Sequence, residues 1–377
     1  MRKVASLLLA LLILLSASPA YAAPASQAPD LSKAGGAILI DGSTGRILLE
    51  KDKDRKLPEA STTKIMTAIL AIEKGNLSDV VTVSQNASGV EGSSIWLGVG
   101  EHVTLENLLY GLMLSSGNDA AVAIAEHISG SVDNFVADMN AKAKQIGAQN
   151  TNFLNPNGLY KKDHYTTAFD LALITAYAMK NETFRKIVST ETWRMPWEGH
   201  EYDRVLKNKN RNLWQYEGAT GVKTGYTIDA GRCFVASAQK NGMELITVLL
   251  DDYDMFEDSR TLLDYGFTNY QKVNIVNKGD ILGSTDVGNG IVRTVDAVAD
   301  ADYSYPCTGE ESASIRKELK LNQMIAAPIK KGEEIGKLEL YLGDQKMCEI
   351  PAVASCEILE NTYGYNLMRI IKNNLFG

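Results

Sequence analysis

The residues of this sequence best suited to covalent chemistry are a serine and a lysine three positions apart, Ser61 and Lys64. Apolar residues follow at helical spacing, so the serine lies at a predicted helix N-terminus, where backbone N–H groups favour developing negative charge. The spacing puts both side chains on one helix face. Because a lysine whose pKa is lowered by burial or by another cation can accept a serine proton, the pair predicts a nucleophile. An N-capping serine and a solvated lysine would show the same spacing.

Two further motifs carry polar groups that could complete such a site. Ser116 and Asn118 lie on a glycine-containing loop between two predicted helices, so a hydroxyl and an amide can face one cleft. Lys223, Thr224 and Gly225 precede an apolar strand. There a cation and a hydroxyl can bind a carboxylate, and the glycine lets the backbone approach a substrate closely. Taken alone, each motif is also ordinary helix-capping or turn chemistry.

Together the motifs are far more specific, because their order is the S-x-x-K, S-x-N and K-T-G set of penicillin-binding proteins and class A β-lactamases. From about Gly36 to Phe267 the sequence resembles the low-molecular-weight penicillin-binding proteins that are D-alanyl-D-alanine carboxypeptidases. The stretches that carry the resemblance are residues 59–67, 114–120, 155–159, 165–171, 220–227, 230–237 and 264–267.

The resemblance implies a serine-type carboxypeptidase that acts on peptidoglycan peptide stems and is inhibited by β-lactam antibiotics. In this family the serine attacks the carbonyl of the penultimate D-alanine, the terminal D-alanine leaves, and water hydrolyses the acyl-enzyme. On the matching positions Ser61 is the nucleophile and Lys64 its proton acceptor. Ser116 and Lys223 would relay the proton to the leaving amine, and Asn118 would orient the substrate or Lys64.

The resemblance also assigns substrate-binding groups to the third motif. Thr224 is the expected hydroxyl for the terminal carboxylate, and Gly225 allows close approach of the strand. The backbone N–H groups of Ser61 and Tyr226 are the expected oxyanion hole, which stabilises charge that develops only in the tetrahedral state.

One loop departs from the family pattern. Many members have a basic residue before the last helix of this domain, whereas residues 251–258 are acidic here. Arg232 or Arg260 could substitute as the partner of the carboxylate, although neither follows from spacing. We favour the interpretation that the acidic loop is solvated surface.

Composition argues against several classes of function. A net charge of −8 and a sequence pI of about 5.2 leave no basic surface for a nucleic acid. The 4 histidines lack i, i+4 spacing and the 4 cysteines form no C-x-x-C pair, so we expect neither a metal nor a cofactor. Export would permit disulfides, and the short spacing of Cys348 and Cys356 leaves a bridge between them open.

The N-terminus predicts export. Arg2 and Lys3 precede an apolar stretch over residues 4–15, and small residues follow up to Ala22. This pattern is typical of a signal peptide, residues 1–22, cleaved near Ala22 or Ala23. An uncleaved anchor is the alternative, although the stretch is short for a bilayer span. We expect the protein at the extracytoplasmic face of the cytoplasmic membrane, in the wall or in the periplasm.

The order of predicted elements favours an α+β fold. Two strands within residues 36–50 come first, a helical block follows, and two strands within residues 233–250 and a helix over residues 259–265 end the region. The predicted helices of the block cover residues 104–114, 118–129, 132–146 and 168–179. This order suits an antiparallel sheet with a helical subdomain, the β-lactamase/transpeptidase-like fold that the resemblance implies, over residues 30–268.

The remainder of the chain has a different texture. Short alternating runs over residues 269–358 predict a small all-β domain. Residues 359–377 predict an amphipathic helix, with Met368 and Ile371 on one face and Arg369 beside them. Such a helix could rest on a membrane surface or dock on its own domain.

Three rival functions share the serine chemistry or the cleft. A class A β-lactamase would carry an E-x-x-L-N string, and none occurs between Asn118 and Lys223. A D,D-endopeptidase that cuts peptidoglycan cross-links would use the same serine. A non-catalytic penicillin-binding or wall-binding protein would keep the cleft for recognition only.

Overall fold

The computed structural model describes residues 27–376 of the chain. The predicted signal peptide, residues 1–22, lies outside the described residues. A five-stranded sheet with helices forms the N-terminal part, and a six-stranded sheet dominates the C-terminal part. None of the helices in the described part is long and apolar enough to cross a membrane.

The N-terminal sheet joins the first strands of the chain to later ones. Its strands and those of two small ladders are β1 (Gly36–Asp41), β2 (Ile47–Lys51), β3 (Val80–Thr82), β4 (His102–Thr104), β5 (Thr192–Met195), β6 (Arg204–Lys207), β7 (Ala219–Thr227), β8 (Gly231–Lys240) and β9 (Met243–Leu250). The order in the sheet is β2-β1-β9-β8-β7, with antiparallel neighbours throughout. All residues of β1 are buried, because both faces of the sheet are covered.

The helices pack around this sheet and against each other. They are α1 (Lys64–Lys74), α2 (Leu105–Leu114), α3 (Asn118–Ser129), α4 (Val132–Ile146), α5 (Ala168–Met179), α6 (Glu182–Ser189), α7 (Asn212–Gln215) and α8 (Met255–Asn269). Every residue of α1 from Lys64 to Ala71 is buried. A helix covered on all sides is a core element, so α1 fixes whatever its first turn carries.

The structure confirms the predicted α+β order and the four helices of the central block. The predicted last helix was too short, because α8 begins at Met255 and continues to Asn269. Glu257 and Asp258 lie in its first turn, where acidic side chains favour the helix dipole. Gly266 lies inside this helix and does not end it. Its lack of a side chain lets the helix pack closely against Leu245.

The C-terminal part is built mainly from β-strands, as the alternating pattern predicted. They are β10 (Gln271–Val276), β11 (Ile281–Gly288), β12 (Thr294–Ala299), β13 (Tyr303–Cys307), β14 (Ile315–Leu321), β15 (Met324–Ala326), β16 (Glu334–Leu342) and β17 (Gln345–Ala354). A short helix, α9 (Gly309–Ala313), was not predicted, although the capping box of Thr308 and Glu311 is its signal in the sequence. The bridge left open between Cys348 and Cys356 is absent, and both thiols are free.

The chain ends in α10 (Tyr363–Phe376). Residues 363–371 include no buried side chain, and Met368 is 69% exposed. Docking of this helix on its own domain would have buried its apolar side chains, so the described contacts do not support that alternative.

Candidate active site

The predicted nucleophile sits on a tight turn at the entrance to the central helix. Ser61 lies in a 3-10 turn, Ala60–Thr63, and Lys64 begins α1 directly after it. Ala60 has a φ of +49°, which is costly for a residue with a side chain. Gly158 packs on the Ala60 carbonyl so closely that a Cβ atom would lie 1.9 Å from its oxygen. The turn is therefore held from outside as well as by its own helix.

Lys64 contacts the serine and two fixed acceptors. Its Nζ lies 3.0 Å from Ser61 Oγ, 2.7 Å from Asn118 Oδ1 and 2.5 Å from the Asn157 carbonyl oxygen. The Asn118 amide is oriented because its Nδ2 donates to the Glu91 carbonyl at 2.6 Å. A neutral amine has two N–H donors and one lone pair. When both donors serve the two amide oxygens, the lone pair is left for the Ser61 hydroxyl.

The electrostatics around Lys64 favour that neutral form. The side chain is fully buried, and burial lowers its pKa well below the ordinary lysine value. The positive charges of Lys223 and then Lys209 lower the pKa further. Lowering the pKa increases the fraction of Lys64 that is neutral, and only a neutral lysine can take a proton from a serine.

The second motif meets the third across the cleft. Ser116 lies between α2 and α3, has a φ of +66°, and is almost fully buried. Lys223 of β7 donates from Nζ to Ser116 Oγ at 3.1 Å and to the Thr224 carbonyl oxygen at 2.9 Å. Burial and the charge of Lys209 lower the pKa of Lys223 to about 7. Near neutral pH Lys223 is therefore present in both its charged and its neutral form, and the charged form can give a proton to Ser116 Oγ when Ser116 passes its own proton on.

The strand β7 forms the wall opposite the serine. It is the edge strand of its sheet, and a Cβ atom on Gly225 would lie 3.0 Å from the Ser61 backbone nitrogen. The glycine therefore allows the strand and the 3-10 turn to touch. Thr224 is partly exposed and Tyr226 is 65% exposed, so both side chains are accessible.

The two candidate arginines have different surroundings. Arg232 pairs directly across from Tyr226 in the β7–β8 ladder, and its Nη1 donates to the Tyr253 carbonyl at 3.0 Å. Arg260 instead interacts with Glu257 and with Gln215 on α7. Only Arg232 is thus attached to the strand pair that carries the third motif.

Sequence reasoning missed a buried polar cluster beneath the nucleophile. Glu59 Oε1 accepts a hydrogen bond from Thr63 Oγ1 at 2.9 Å and lies 2.8 Å from His164 Nε2. His164 Nδ1 accepts from the Leu154 N–H at 3.0 Å, which leaves Nε2 to carry the proton toward the carboxylate. Glu59 and His164 are far apart in sequence, so no local spacing marks the pair. A carboxylate two residues before the nucleophile was the only available signal.

Sequence reasoning also missed Lys209 and the Asn157 carbonyl. Lys209 Nζ donates to Ser93 Oγ at 3.0 Å, and burial lowers its pKa. Its charge acts on both buried lysines of the site. Neither group belongs to one of the three motifs.

Hydrogen bonds join the five residues predicted to be catalytic into two groups. Lys64 contacts Ser61 and Asn118 in one group, and Lys223 contacts Ser116 in the other. This arrangement provides a hydroxyl nucleophile, a neutral amine acceptor, a second hydroxyl and a titratable ammonium. Such a set can carry out acyl transfer through a covalent ester.

Family models match both parts of the chain. The model described as D-alanyl-D-alanine carboxypeptidase matches residues 22–254, and the model described as penicillin-binding protein 5, C-terminal domain, matches residues 270–360. The chain belongs to the D-alanyl-D-alanine carboxypeptidase family. The resemblance stated from the motifs alone is thereby confirmed.

Individual relatives match nearly the whole chain. The D-alanyl-D-alanine carboxypeptidase DacF of Bacillus subtilis is 35% identical over 364 residues, which cover 94% of this chain and 93% of the relative. The crystal structure of penicillin binding protein 5 from Haemophilus influenzae has a TM-score of 0.76 at 30% identity, covering 89% of this chain and all of its own. A peptidoglycan synthesis regulatory factor from Streptococcus pneumoniae has a TM-score of 0.75 at 27% identity, covering 86% of this chain and 99% of its own. The low-molecular-weight penicillin-binding protein fold extends over both parts of the chain.

Proposed function

We propose that this protein removes the terminal D-alanine from peptidoglycan pentapeptide stems through an acyl-enzyme on Ser61. The observation that carries the proposal is the contact of Lys64 Nζ with Ser61 Oγ at 3.0 Å, at a buried lysine whose pKa is lowered. Membership of the D-alanyl-D-alanine carboxypeptidase family supplies the substrate class.

The proposed acylation step transfers one proton and exchanges one bond. Lys64 accepts the Ser61 hydroxyl proton as Oγ bonds to the carbonyl carbon of the penultimate D-alanine. The carbonyl oxygen gains negative charge, which the backbone N–H groups of Ser61 and Tyr226 stabilise. Loss of one such donor typically costs about 2–4 kcal/mol of barrier. The C–N bond then breaks, and the leaving amine receives the proton that Lys64 took, relayed through Ser116 and Lys223, so that Lys64 is neutral again.

The proposed deacylation step reverses these roles. Water gives a proton to Lys64 and attacks the ester carbon, and Ser61 Oγ regains a proton as the ester bond breaks. Thr224 holds the terminal carboxylate of the substrate, and Gly225 gives the substrate access to the edge of β7. A β-lactam would acylate the same serine. Its opened ring stays attached to the acyl group, so the adduct would persist longer than the peptide acyl-enzyme.

The experiment that tests this proposal follows two products. Residues 30–377 are incubated with a fluorescent penicillin or with a D-Ala-D-Ala pentapeptide, beside Ser61→Ala. We expect a covalent mass increase and release of D-alanine, both lost in the variant. A stable adduct without D-alanine release would favour the non-catalytic alternative. Cleavage of cross-linked dimers without cleavage of the monomeric pentapeptide would favour the endopeptidase.

The location and domain organisation form a further part of the proposal. A signal peptide over residues 1–22 would export the chain. Residues 30–268 would form the catalytic domain, and residues 269–358 would form the β-rich domain. The segment 359–377 would then contact the membrane surface through α10, whose apolar side chains Leu367, Met368 and Ile370 are exposed. Deletion of residues 361–377 should release the protein from the membrane fraction, and unchanged fractionation would contradict this contact.

A further inference from the structure

Trp96 is held in solvent by the residues on either side of it. Ile95 and Leu97 are 2% and 4% exposed, whereas Trp96 is 75% exposed. The backbone N–H groups of Ile95 and Leu97 both donate to Asp119 Oδ2, at 3.0 and 3.1 Å. Trp96 has a φ of +61°, a conformation that a bulky side chain adopts only when its surroundings impose it. The fold therefore directs a large apolar ring outward at some cost to itself.

A buried arginine ties this tryptophan to a second one. Arg204 donates from Nη2 to the Trp96 carbonyl oxygen at 2.8 Å and forms a two-point ion pair with Glu101 at 2.5 and 2.8 Å. Both side chains of the pair are buried. The guanidinium carbon lies 4.4 Å from the ring centre of Trp197. A paired guanidinium is a rigid support, so it fixes the position of both tryptophans.

Further rings extend the surface beyond Trp197. The ring centres of Trp197 and His200 are 4.0 Å apart, and those of Trp197 and Tyr202 are 5.7 Å apart. His200 is exposed, and Tyr202 is 63% exposed. We call Trp96, Trp197, His200 and Tyr202 the aromatic rim.

The segment that carries Trp96 contacts a residue of the proposed active site. The Asn118 N–H donates to the Ser93 carbonyl at 2.7 Å, and Asn118 contacts Lys64. Trp96 follows Ser93 by three residues, a separation that an extended chain spans in about 11 Å at most. Trp96 therefore lies close enough to the proposed active site to meet a group attached to a peptide that extends from the serine in this direction.

We propose that the aromatic rim binds an amino-sugar ring of the glycan strand that carries the peptide stem. The proposal rests on the proposed function, which places a peptide attached to such a strand in the cleft. A sugar ring presents a face of C–H groups that packs on an aromatic face, while its hydroxyl and amide groups hydrogen-bond at the edges. Rigid rings lose little conformational entropy when they bind, so fixed aromatics suit a stiff polysaccharide.

The test compares two substrates with the same peptide. D-Alanine release is measured as kcat/KM on the free pentapeptide and on the pentapeptide joined to the N-acetylated disaccharide of peptidoglycan. The wild type should prefer the disaccharide-linked substrate by about tenfold. Trp96→Gly and Trp197→Ala should lose that preference. Val99→Ala, which alters an exposed apolar side chain on the same loop, should keep it.

Two further measurements separate binding from folding and from activity. Glycine tolerates the positive φ, so Trp96→Gly should have a melting temperature equal to or above that of the wild type. Calorimetric titration of Ser61→Ala with the disaccharide alone should detect binding that Ser61→Ala with Trp96→Gly lacks. Equal kcat/KM for both substrates in the wild type, or a preference that survives Trp96→Gly, would contradict sugar binding by the aromatic rim. Release of D-alanine from neither substrate would refute the proposed function. The titration would still show whether the aromatic rim binds the disaccharide.

Discussion

The two sheets of this protein use lysine in opposite ways. In the N-terminal part, Lys64 and Lys223 are buried with no carboxylate partner among the described residues, and burial lowers the pKa of both. On the C-terminal sheet, Lys320 and Lys346 lie at the surface 2.6 and 2.8 Å from Glu339, and hydrogen bonds to Glu339 raise the pKa of both. A lysine side chain is therefore suited to proton transfer in the N-terminal part and to ion pairing in the C-terminal part. Burial and the presence of a carboxylate partner determine whether its pKa is lowered or raised.

The largest expected difference between the buried and the surface lysines is their effect on the rate of acylation. Lys64→Gln removes the amine that contacts Ser61, so acylation by a fluorescent penicillin should slow by about a thousandfold or more. The matched variant Lys346→Gln changes a paired surface lysine and should acylate at the wild-type rate. Loss of less than tenfold in Lys64→Gln would show that another group accepts the serine proton.

The pH dependence of activity should depend on both buried lysines. kcat/KM for D-alanine release should rise with pH as Lys64 loses its proton, and fall above about pH 7 as Lys223 becomes neutral. Lys209→Gln removes a positive charge that lowers both pKa values, so both limbs should move to higher pH. Limbs that stay in place in this variant would contradict the electrostatic role of Lys209.

The lowered pKa of Lys223 should make the free energy of unfolding depend on pH. The pKa of Lys223 is about 7 when folded and near the ordinary lysine value of 10.5 when unfolded. Between these values the unfolded state binds more protons, so the contribution of Lys223 to stability increases as pH rises. The free energy of urea unfolding should therefore rise more from pH 7 to pH 9.5 in the wild type than in Lys223→Met. Parallel changes in the two proteins would contradict the lowered pKa.

The smallest expected effect is the change in stability when Glu339 loses its ion pairs with Lys320 and Lys346. Hydrogen bonds from Lys320, Lys346 and Tyr341 lower the pKa of Glu339 to about 2. Its contribution to stability is present above the ordinary carboxyl value of 4.5 and is lost as pH falls toward 2. Glu339→Gln should lower the melting temperature by a few degrees at most at pH 7, because the lysine partners of Glu339 are exposed and solvent screens both ion pairs. The difference from the wild type should shrink at pH 2.5, and D-alanine release should be unchanged.

Local sequence patterns were sufficient for most of the fold. The helical period set α2 to α5 at their predicted ends, and the Asn241-Gly242 turn joins β8 to β9 with both residues at positive φ. The start of α8 was misplaced because the two apolar residues of its first turn, Met255 and Phe256, lie within an acidic run. α9 was missed because it is short and buries no side chain. In both places too few apolar residues repeat at helical spacing for the sequence pattern to reveal the helix.

The sequence by itself determined the three motifs, the family and therefore the chemistry expected at Ser61. The spacing of Ser61 and Lys64 is local, so a helical turn brings the two side chains into contact. Tertiary structure decided the rest. Only packing removes water from Lys64 and brings Lys223 and Lys209 close enough to lower its pKa. The pairing of Glu59 with His164 and the outward Trp96 arise in the same way, because each depends on residues distant in sequence that meet only in the folded core.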